Sequence, residues 1–253
     1  MTEPPAPNLV ADLRERIARA GSLCVFTGAG MSAESGIPTF RDANTSGFWT
    51  RYRPEQLASP EGFRADPALV WNWYAERRLG VRAAEPNAGH LALGDYARRH
   101  PGRLTVVTQN VDDLHQRAGC PDTLRLHGDI LRDAWMDPCR KAPACGTERA
   151  VPGTPPRCAD CGNLLRPGVV WFGEMLQESH LQAAEQAARE CDVLLVVGTS
   201  GAVWPAAGLA GLARRAGACV VIINPHDSEI DHEAHFRIAD TAARSLPLLL
   251  AGI

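Results

Sequence analysis

The sequence predicts an α/β protein built on a doubly wound parallel sheet with a smaller second lobe. Three observations predict it. Four short β-branched runs are nearly continuously apolar and end in small or polar residues, alanine-rich helical stretches lie between or beside them, and two longer segments interrupt the alternation. Strands that are apolar on both faces suit a parallel sheet, because crossover helices cover both of its sides. Alternating strand and helix signals give the doubly wound arrangement, in which function sits at the carboxyl ends of the strands.

Along the chain, residues 9–20 read as the first helix and residues 22–27 (SLCVFT) as the first strand. A helical stretch at 88–99 precedes the second strand, 104–109 (LTVVTQ). Helices are expected at 181–189 and 206–216, beside strands at 192–198 (DVLLVVG) and 219–224 (CVVIIN). The interruptions are of two kinds. Residues 43–86 carry Phe48, Trp49, Tyr52, Phe63, Trp71, Trp73 and Tyr74 and read as short helices with loops. Residues 132–166 are rich in Cys, Pro, Gly and Arg and show little hydrophobic periodicity. Neither segment can bury a core alone, so both are expected to pack on the sheet within one domain spanning 1–253.

Composition excludes several functions. The net charge of −3 leaves no basic footprint for nucleic acid. Lys141 is the single lysine among 26 basic side chains, and Ala142 follows it. Schiff-base, P-loop and kinase lysines are therefore excluded. The opening residues, Met1-Thr2-Glu3-Pro4-Pro5, are unlike the basic-then-apolar start of a signal peptide. The apolar stretch at 246–253 is far short of the roughly 20 residues that span a bilayer. A cytoplasmic protein without a membrane partner is expected.

The cysteines divide into two groups. Cys24, Cys120, Cys191 and Cys219 are scattered, and the three in or beside predicted strands, Cys24, Cys191 and Cys219, read as buried small hydrophobes. Cys139, Cys145, Cys158 and Cys161 form C-x5-C, twelve intervening residues and C-x2-C, followed by Gly162. Four thiolates at such spacing suit tetrahedral zinc, and four protein ligands leave no open position, so the metal would be structural. Two disulfides are the alternative, which a reducing cytoplasm disfavours.

The first strand runs into Gly28-Ala29-Gly30-Met31-Ser32-Ala33, a G-x-G-x-x-A turn whose following helix start could hold pyrophosphate on its amides. No second strand ending in Asp or Glu follows at the distance where a dehydrogenase reads ribose, so ordinary hydride transfer is not expected. Residues 28–42 read GAGMSAESGIPTFRD. They are followed by Gln109-Asn110-Val111-Asp112-Asp113-Leu114-His115, by Leu126-His127-Gly128 and by the four cysteines. Then come Val169-Val170-Trp171-Phe172-Gly173-Glu174, Gly198-Thr199-Ser200 with Val203 and Pro205, and Asn224. In these motifs and in their order the chain resembles the sirtuins, the NAD-dependent protein deacylases, over about residues 9–250.

The resemblance implies a Rossmann-like sheet of sirtuin type, NAD as co-substrate, one structural Zn2+ held by the module at 132–166, and acyl-lysine proteins or peptides as partners. It implies that Gly28, Ala29, Gly30, Ser32 and Ala33 meet the diphosphate, and that Phe40 and Arg41 lie on a loop closing over the nicotinamide ribose. Gln109, Asn110, Val111 and Asp112 would hold the nicotinamide end. Gly198, Thr199, Ser200, Asn224 and Pro225 would hold the adenosine half, with the Ala242 backbone at the adenine. His127 would be the general base, in a catalytic set with Asn110 and Asp112, because an imidazole near neutrality can take a ribose hydroxyl proton. The acyl-lysine carbonyl oxygen would attack the ribose C1′ and release nicotinamide, and the products would be free lysine and O-acyl-ADP-ribose. Val170, Trp171, Phe172 and Gly173 would pair with the substrate peptide as an added strand. His90, His100 and His115 take structural roles, while His232 and His235 read as a solvated face.

Tyr74 and Arg77 stand at i and i+3 on one helix face, where a phenol and a guanidinium can bind a carboxylate. The succinyl- and malonyl-preferring branch of sirtuins carries such a Tyr-x-x-Arg pair, and Ala58 matches a small position that widens its acyl pocket. Activity on succinyl-, malonyl- and acetyl-lysine is expected. ADP-ribosyl transfer, NAD hydrolysis and a non-catalytic NAD sensor are the alternatives. The chain departs from the family in its wide C-x5-C, in a short addition at 43–47, and in Asp240-Thr241-Ala242-Ala243, where many relatives carry a glycine.

Overall fold

The computed structural model describes residues 7–39, 54–139 and 145–253. Among them the strands are β1 (Leu23–Thr27), β2 (Leu104–Thr108), β3 (Leu124–Arg125), β4 (Gly128–Trp135), β5 (Ala150–Val151), β6 (Arg157–Cys158), β7 (Leu165–Val169), β8 (Val193–Val197), β9 (Cys219–Ile223) and β10 (Phe236–Ile238). The helices are α1 (Pro7–Arg19), α2 (Gly30–Ala33), α3 (Pro54–Leu57), α4 (Pro60–Ala65), α5 (Pro67–Ala83), α6 (Ala88–Arg99), α7 (Leu114–Arg117), α8 (Glu178–Glu190), α9 (Gly208–Ala216) and α10 (Ala242–Leu250). They fall into two compact units. The larger contains 7–39, 84–126 and 176–253, and the smaller contains 54–83, 127–139 and 145–175.

The larger unit is a parallel sheet in the order β10-β9-β8-β1-β2-β3. Counted among themselves, these six strands lie in the order 3-2-1-4-5-6, the Rossmann arrangement. The strand period of two divides its core. Leu23 and Val25 face a cluster with Leu13 and Ile17 of α1, Leu93 and Tyr96 of α6, and Leu246 and Leu249 of α10. Cys24 and Phe26 face the other way, toward Ala184 and Ala188 of α8 and Leu209 and Ala213 of α9. Both faces are covered, as the uninterrupted apolar runs require. The four foreseen strands are present, each trimmed by a residue at one or both ends or, at 219–224, only at the last. β3, β10 and α10 were not foreseen as elements.

In the smaller unit the expectation of only short helices is corrected. α5 runs for 17 residues. Pro67 opens it, where a missing N–H costs nothing, and Asp66 Oδ1 accepts the Leu69 N–H at 2.9 Å as a cap. β4 and β7 pair antiparallel with a register shift between Asp129 and Asp133, and β5 pairs with β6. Among the described residues no helix is long and apolar enough to cross a membrane.

Candidate active site

In the larger unit the strand order reverses between β1 and β8, where α/β sheets open a crevice at their carboxyl ends. The turns after these strands touch backbone to backbone. A Cβ on Gly28 would lie 2.8 Å from the Gly198 oxygen, and one on Gly30 would lie 2.7 Å from Gly198 Cα. Glycine is therefore demanded first by the meeting of the two turns. The expectation of a helix start offering a row of amides is corrected as well. α2 is a single turn, and the amides of Gly30, Met31 and Ser32 already bond to Gly198 O, Gly28 O and Ala29 O. Gly28 N bonds to Val197 O, so within residues 28–32 only the Ala29 N–H has no acceptor among the described residues. It is the one amide here with hydrogen-bonding capacity left for a ligand.

Behind this turn lies a buried polar cluster. Ser32 Oγ donates to Asp112 Oδ2 at 2.9 Å and accepts from Asn110 Nδ2 at 3.0 Å. Asp112 Oδ1 accepts the Leu114 N–H at 3.1 Å. Burial raises the Asp112 carboxyl above its ordinary value, opposed by the Leu114 amide, the Ser32 hydroxyl and Arg125. Arg125, which sequence reasoning missed, donates from Nη2 to the carbonyls of Val111 and Asp112 at 2.9 and 2.8 Å and fixes that loop. Gln109 Nε2 donates to Thr199 Oγ1 at 3.0 Å, and Asn224 Nδ2 donates to Thr199 O at 3.1 Å. The polar residues foreseen at the ends of β1, β2, β8 and β9 are thus joined by direct bonds. Val111, Ala33 and Pro225 are half-buried and Ser200 is exposed, while Ala242 is buried with its carbonyl against Gly89.

The histidines divide as expected. His115 Nε2 lies 3.0 Å from Thr27 Oγ1, and its ring is 4.9 Å from that of His90. Burial lowers His115 to about 3, helped by His90 and Arg125, and lowers His90 to about 4. Both are held neutral beneath the site. His100 stacks on Tyr96. His232 is exposed, and His235 uses Nδ1 to accept the Val220 N–H at 3.0 Å.

The smaller unit collects the residues foreseen for substrate. Its His127 is half-buried just before β4, and its carbonyl accepts the Val170 N–H at 2.9 Å. Phe172 N donates to Ala58 O at 2.9 Å, and Trp171 N donates to Glu174 Oε2 at 2.8 Å. An added peptide strand could therefore not bond to the amides of residues 170–172, which are occupied within the chain. The exposed Gly173 and the carbonyls of Val170 and Phe172 are the groups left for it, since Trp171 O already accepts the Glu174 N–H at 3.0 Å. Tyr74, buried in α5, accepts from Trp171 Nε1 at 2.9 Å. The Arg77 guanidinium lies over the rings of Trp73 and Tyr74, at 4.8 and 5.5 Å. Ala58, Tyr74, Arg77, Trp171 and Phe172 form one connected group.

The cysteine module has the donors that zinc needs. Cys139 Sγ and Cys145 Sγ are 3.3 Å apart, and the ligand atoms of Cys139, Cys145 and Cys161, and of Cys145, Cys158 and Asp160, lie within 4.8 Å of one another. A tetrahedron of Zn–S bonds would set sulfurs about 3.8 Å apart, from the usual bond of about 2.3 Å. All eight cysteines are free thiols, so the two-disulfide alternative is not realised. Gly162, at φ +73°, makes the left-handed turn after Cys161, and Trp135 Nε1 donates to Cys145 O at 2.6 Å to hold the other half. Asp160 beside the sulfurs was not foreseen. Phe40, Arg41, the addition at 43–47 and Lys141 lie outside the described residues.

A model of the Sir2 family matches residues 28–205. A protein of Ralstonia nicotianae named NAD-dependent protein deacylase is 51% identical over 241 residues, covering 95% of this chain and 96% of its own. Among solved structures, a Sir2 homolog–NAD complex is 41% identical with a TM-score of 0.84, over 95% of this chain and 92% of that one. A Sir2 protein bound to acetylated peptide is 26% identical with a TM-score of 0.80, over 94% and 95% of the two chains.

Proposed function

The chain belongs to the Sir2 family, and from that premise we propose that it is an NAD-dependent protein-lysine deacylase that removes succinyl and malonyl groups as well as acetyl. The observation that carries the acyl assignment is the buried Tyr74 phenol with the Arg77 guanidinium over its ring. A phenol and a fixed cation together suit a terminal carboxylate, through charge-assisted hydrogen bonds that an acetyl methyl cannot make.

The larger unit's residues fit the NAD role. The Ala29 amide has no acceptor among the described residues, and the buried Ser32–Asn110–Asp112 cluster offers an amide and a carboxylate in fixed orientation. We assign the turn at 28–33 to the diphosphate, Asn110 and Asp112 with Gln109 and Val111 to the nicotinamide end, and Thr199, Asn224 and their neighbours to the adenosine half. Phe40 and Arg41 keep their assignment to the nicotinamide ribose on the resemblance alone. Bound there, NAD would supply a ribose carbon with nicotinamide as leaving group and a hydroxyl that ends up carrying the acyl group. His127 takes the proton from that hydroxyl on its imidazole, so its neutral form is the active one. Val170–Gly173 orient the peptide, and Ala58 leaves width for the acyl chain. With one water consumed to free the lysine amine, the products are nicotinamide, free lysine and O-acyl-ADP-ribose. Four thiolates would close the zinc coordination sphere, which assigns the metal to the fold of the module at 132–166. The free thiols support a cytoplasmic location.

Arg77→Met tests the acyl assignment. Loss of a charge-assisted bond predicts a fall of about 10- to 100-fold in kcat/KM for a succinyl-lysine peptide, with a much smaller fall for the acetyl form. Equal losses on the two peptides would make Arg77 structural and end the acidic-acyl reading.

A further inference from the structure

The assignment of residues 170–173 to peptide binding concerns their backbone, and it leaves the Trp171 side chain without a role. That side chain is 2% exposed and held on several sides. Phe63 packs against it with ring centroids 5.4 Å apart. The Arg166 guanidinium lies over its ring, 3.4 Å from the centroid, and forks onto both oxygens of Glu174. Glu174 in turn accepts the Trp171 N–H at 2.8 Å, so the indole is fixed through its backbone as well as its face.

This fixed indole makes one polar contact, from Nε1 to Tyr74 Oη at 2.9 Å. An indole N–H can only donate, so the phenol oxygen must accept, and the phenol's own hydrogen must point elsewhere. Tyr74 is 2% exposed, and no described residue accepts that hydrogen. A buried donor without an acceptor carries a standing cost that a ligand can remove. A carboxylate is an acceptor only, whereas the methyl of an acetyl group offers nothing.

We infer that Trp171 is a positioning residue for acyl specificity: its indole N–H occupies the Tyr74 oxygen and so presents the Tyr74 hydrogen as a donor to an acidic acyl group. Arg166 and Glu174 support this by holding the indole in place. The inference rests on the acyl assignment made above. Arg77 supplies the charge and Tyr74 the directed donor. Without the indole N–H, the phenol is free to turn and to settle its hydrogen differently.

The test compares kcat and KM for one peptide in succinyl-lysine and acetyl-lysine forms, using the full-length zinc-loaded enzyme. The variants are Trp171→Phe, Tyr74→Phe, the double variant and Arg77→Met. Substitution of Trp171 by benzothienylalanine, which keeps the ring volume and lacks only the N–H, covers the case in which Trp171→Phe does not fold. Removing the N–H is expected to raise KM for the succinyl peptide, relative to the acetyl peptide, by about tenfold, the worth of one buried hydrogen bond. In the Tyr74→Phe background the same removal should change that ratio by less than about twofold, because the two residues act through one bond. An equal change in both backgrounds would overturn the inference, as would an unshifted ratio in the benzothienylalanine protein while Arg77→Met loses succinyl preference. Unshifted ratios in every variant, Arg77→Met included, would overturn the acyl assignment and this inference with it.

Discussion

Ser32 shows how much of the site rests on single polar atoms: one hydroxyl joins Asn110 and Asp112 and is 1% exposed. The residue types were legible because the chemistry demands them at strand ends. Their pairings were not, since Trp171 and Tyr74 stand 97 positions apart in the chain and no local pattern links them. Arg125 was missed for a similar reason, because it grips main-chain carbonyls and so carries no motif of its own. Beneath the cluster, His90 and His115 make a pH prediction. Their folded values, about 4 and about 3, lie below the ordinary 6.5. The unfolded chain therefore takes up these protons first as pH falls. Stability is fully present above pH 6.5 and declines as pH drops through the window toward 4, by about 1.4 kcal/mol per pH unit for each histidine. Thermal melts from pH 7.5 to 5 should show Tm falling below about 6.5, with a shallower fall in His115→Asn. Parallel curves for the two proteins would contradict the buried-neutral assignment.

At the scale of elements, the four central strands were readable because each is buried on both faces and so carries an unbroken apolar run. The edge strands β3 and β10 hold two and three residues, too few to show any period. α10 was seen only as an apolar stretch, with Pro247 inside it. α5 was legible as a helix around Tyr74 and Arg77 but not in its length of 17 residues, because its aromatic and arginine content dilutes a helical stripe that Val70, Trp73, Tyr74 and Val81 nonetheless make. The cysteine module was legible as a ligand set, but Asp160 beside the sulfurs was not. Because β5 and β6 are two residues each, their pairing cannot supply much order without a metal. Zinc removal by a strong chelator should therefore speed amide exchange across residues 145–165 while the β1 and β8 amides stay protected. Metal analysis should find zinc in the native protein and little in Cys158→Ser. Unchanged exchange after complete zinc loss would contradict a structural metal.

Taken whole, the chain assigns its tasks to two units. One carries the Rossmann sheet and the buried Ser32–Asn110–Asp112 cluster, and the other carries His127, the Tyr74–Arg77 pair and the cysteine module. Helices on both faces of a parallel sheet leave unbroken apolar strands, so the fold class was legible from periodicity, while the strand order 3-2-1-4-5-6 and its reversal between β1 and β8 became visible only with the strand pairing. The proposed activity couples NAD cleavage to acyl-lysine removal and accepts acidic acyl groups. Mass spectrometry of one peptide in succinyl-lysine and acetyl-lysine forms, incubated with and without NAD, tests it most directly. NAD-dependent loss of succinyl and of acetyl is expected, with equimolar nicotinamide and O-acyl-ADP-ribose, and neither free lysine nor O-acyl-ADP-ribose with His127→Ala. NAD consumption with both acyl groups intact would contradict it and point to hydrolysis or ADP-ribosyl transfer.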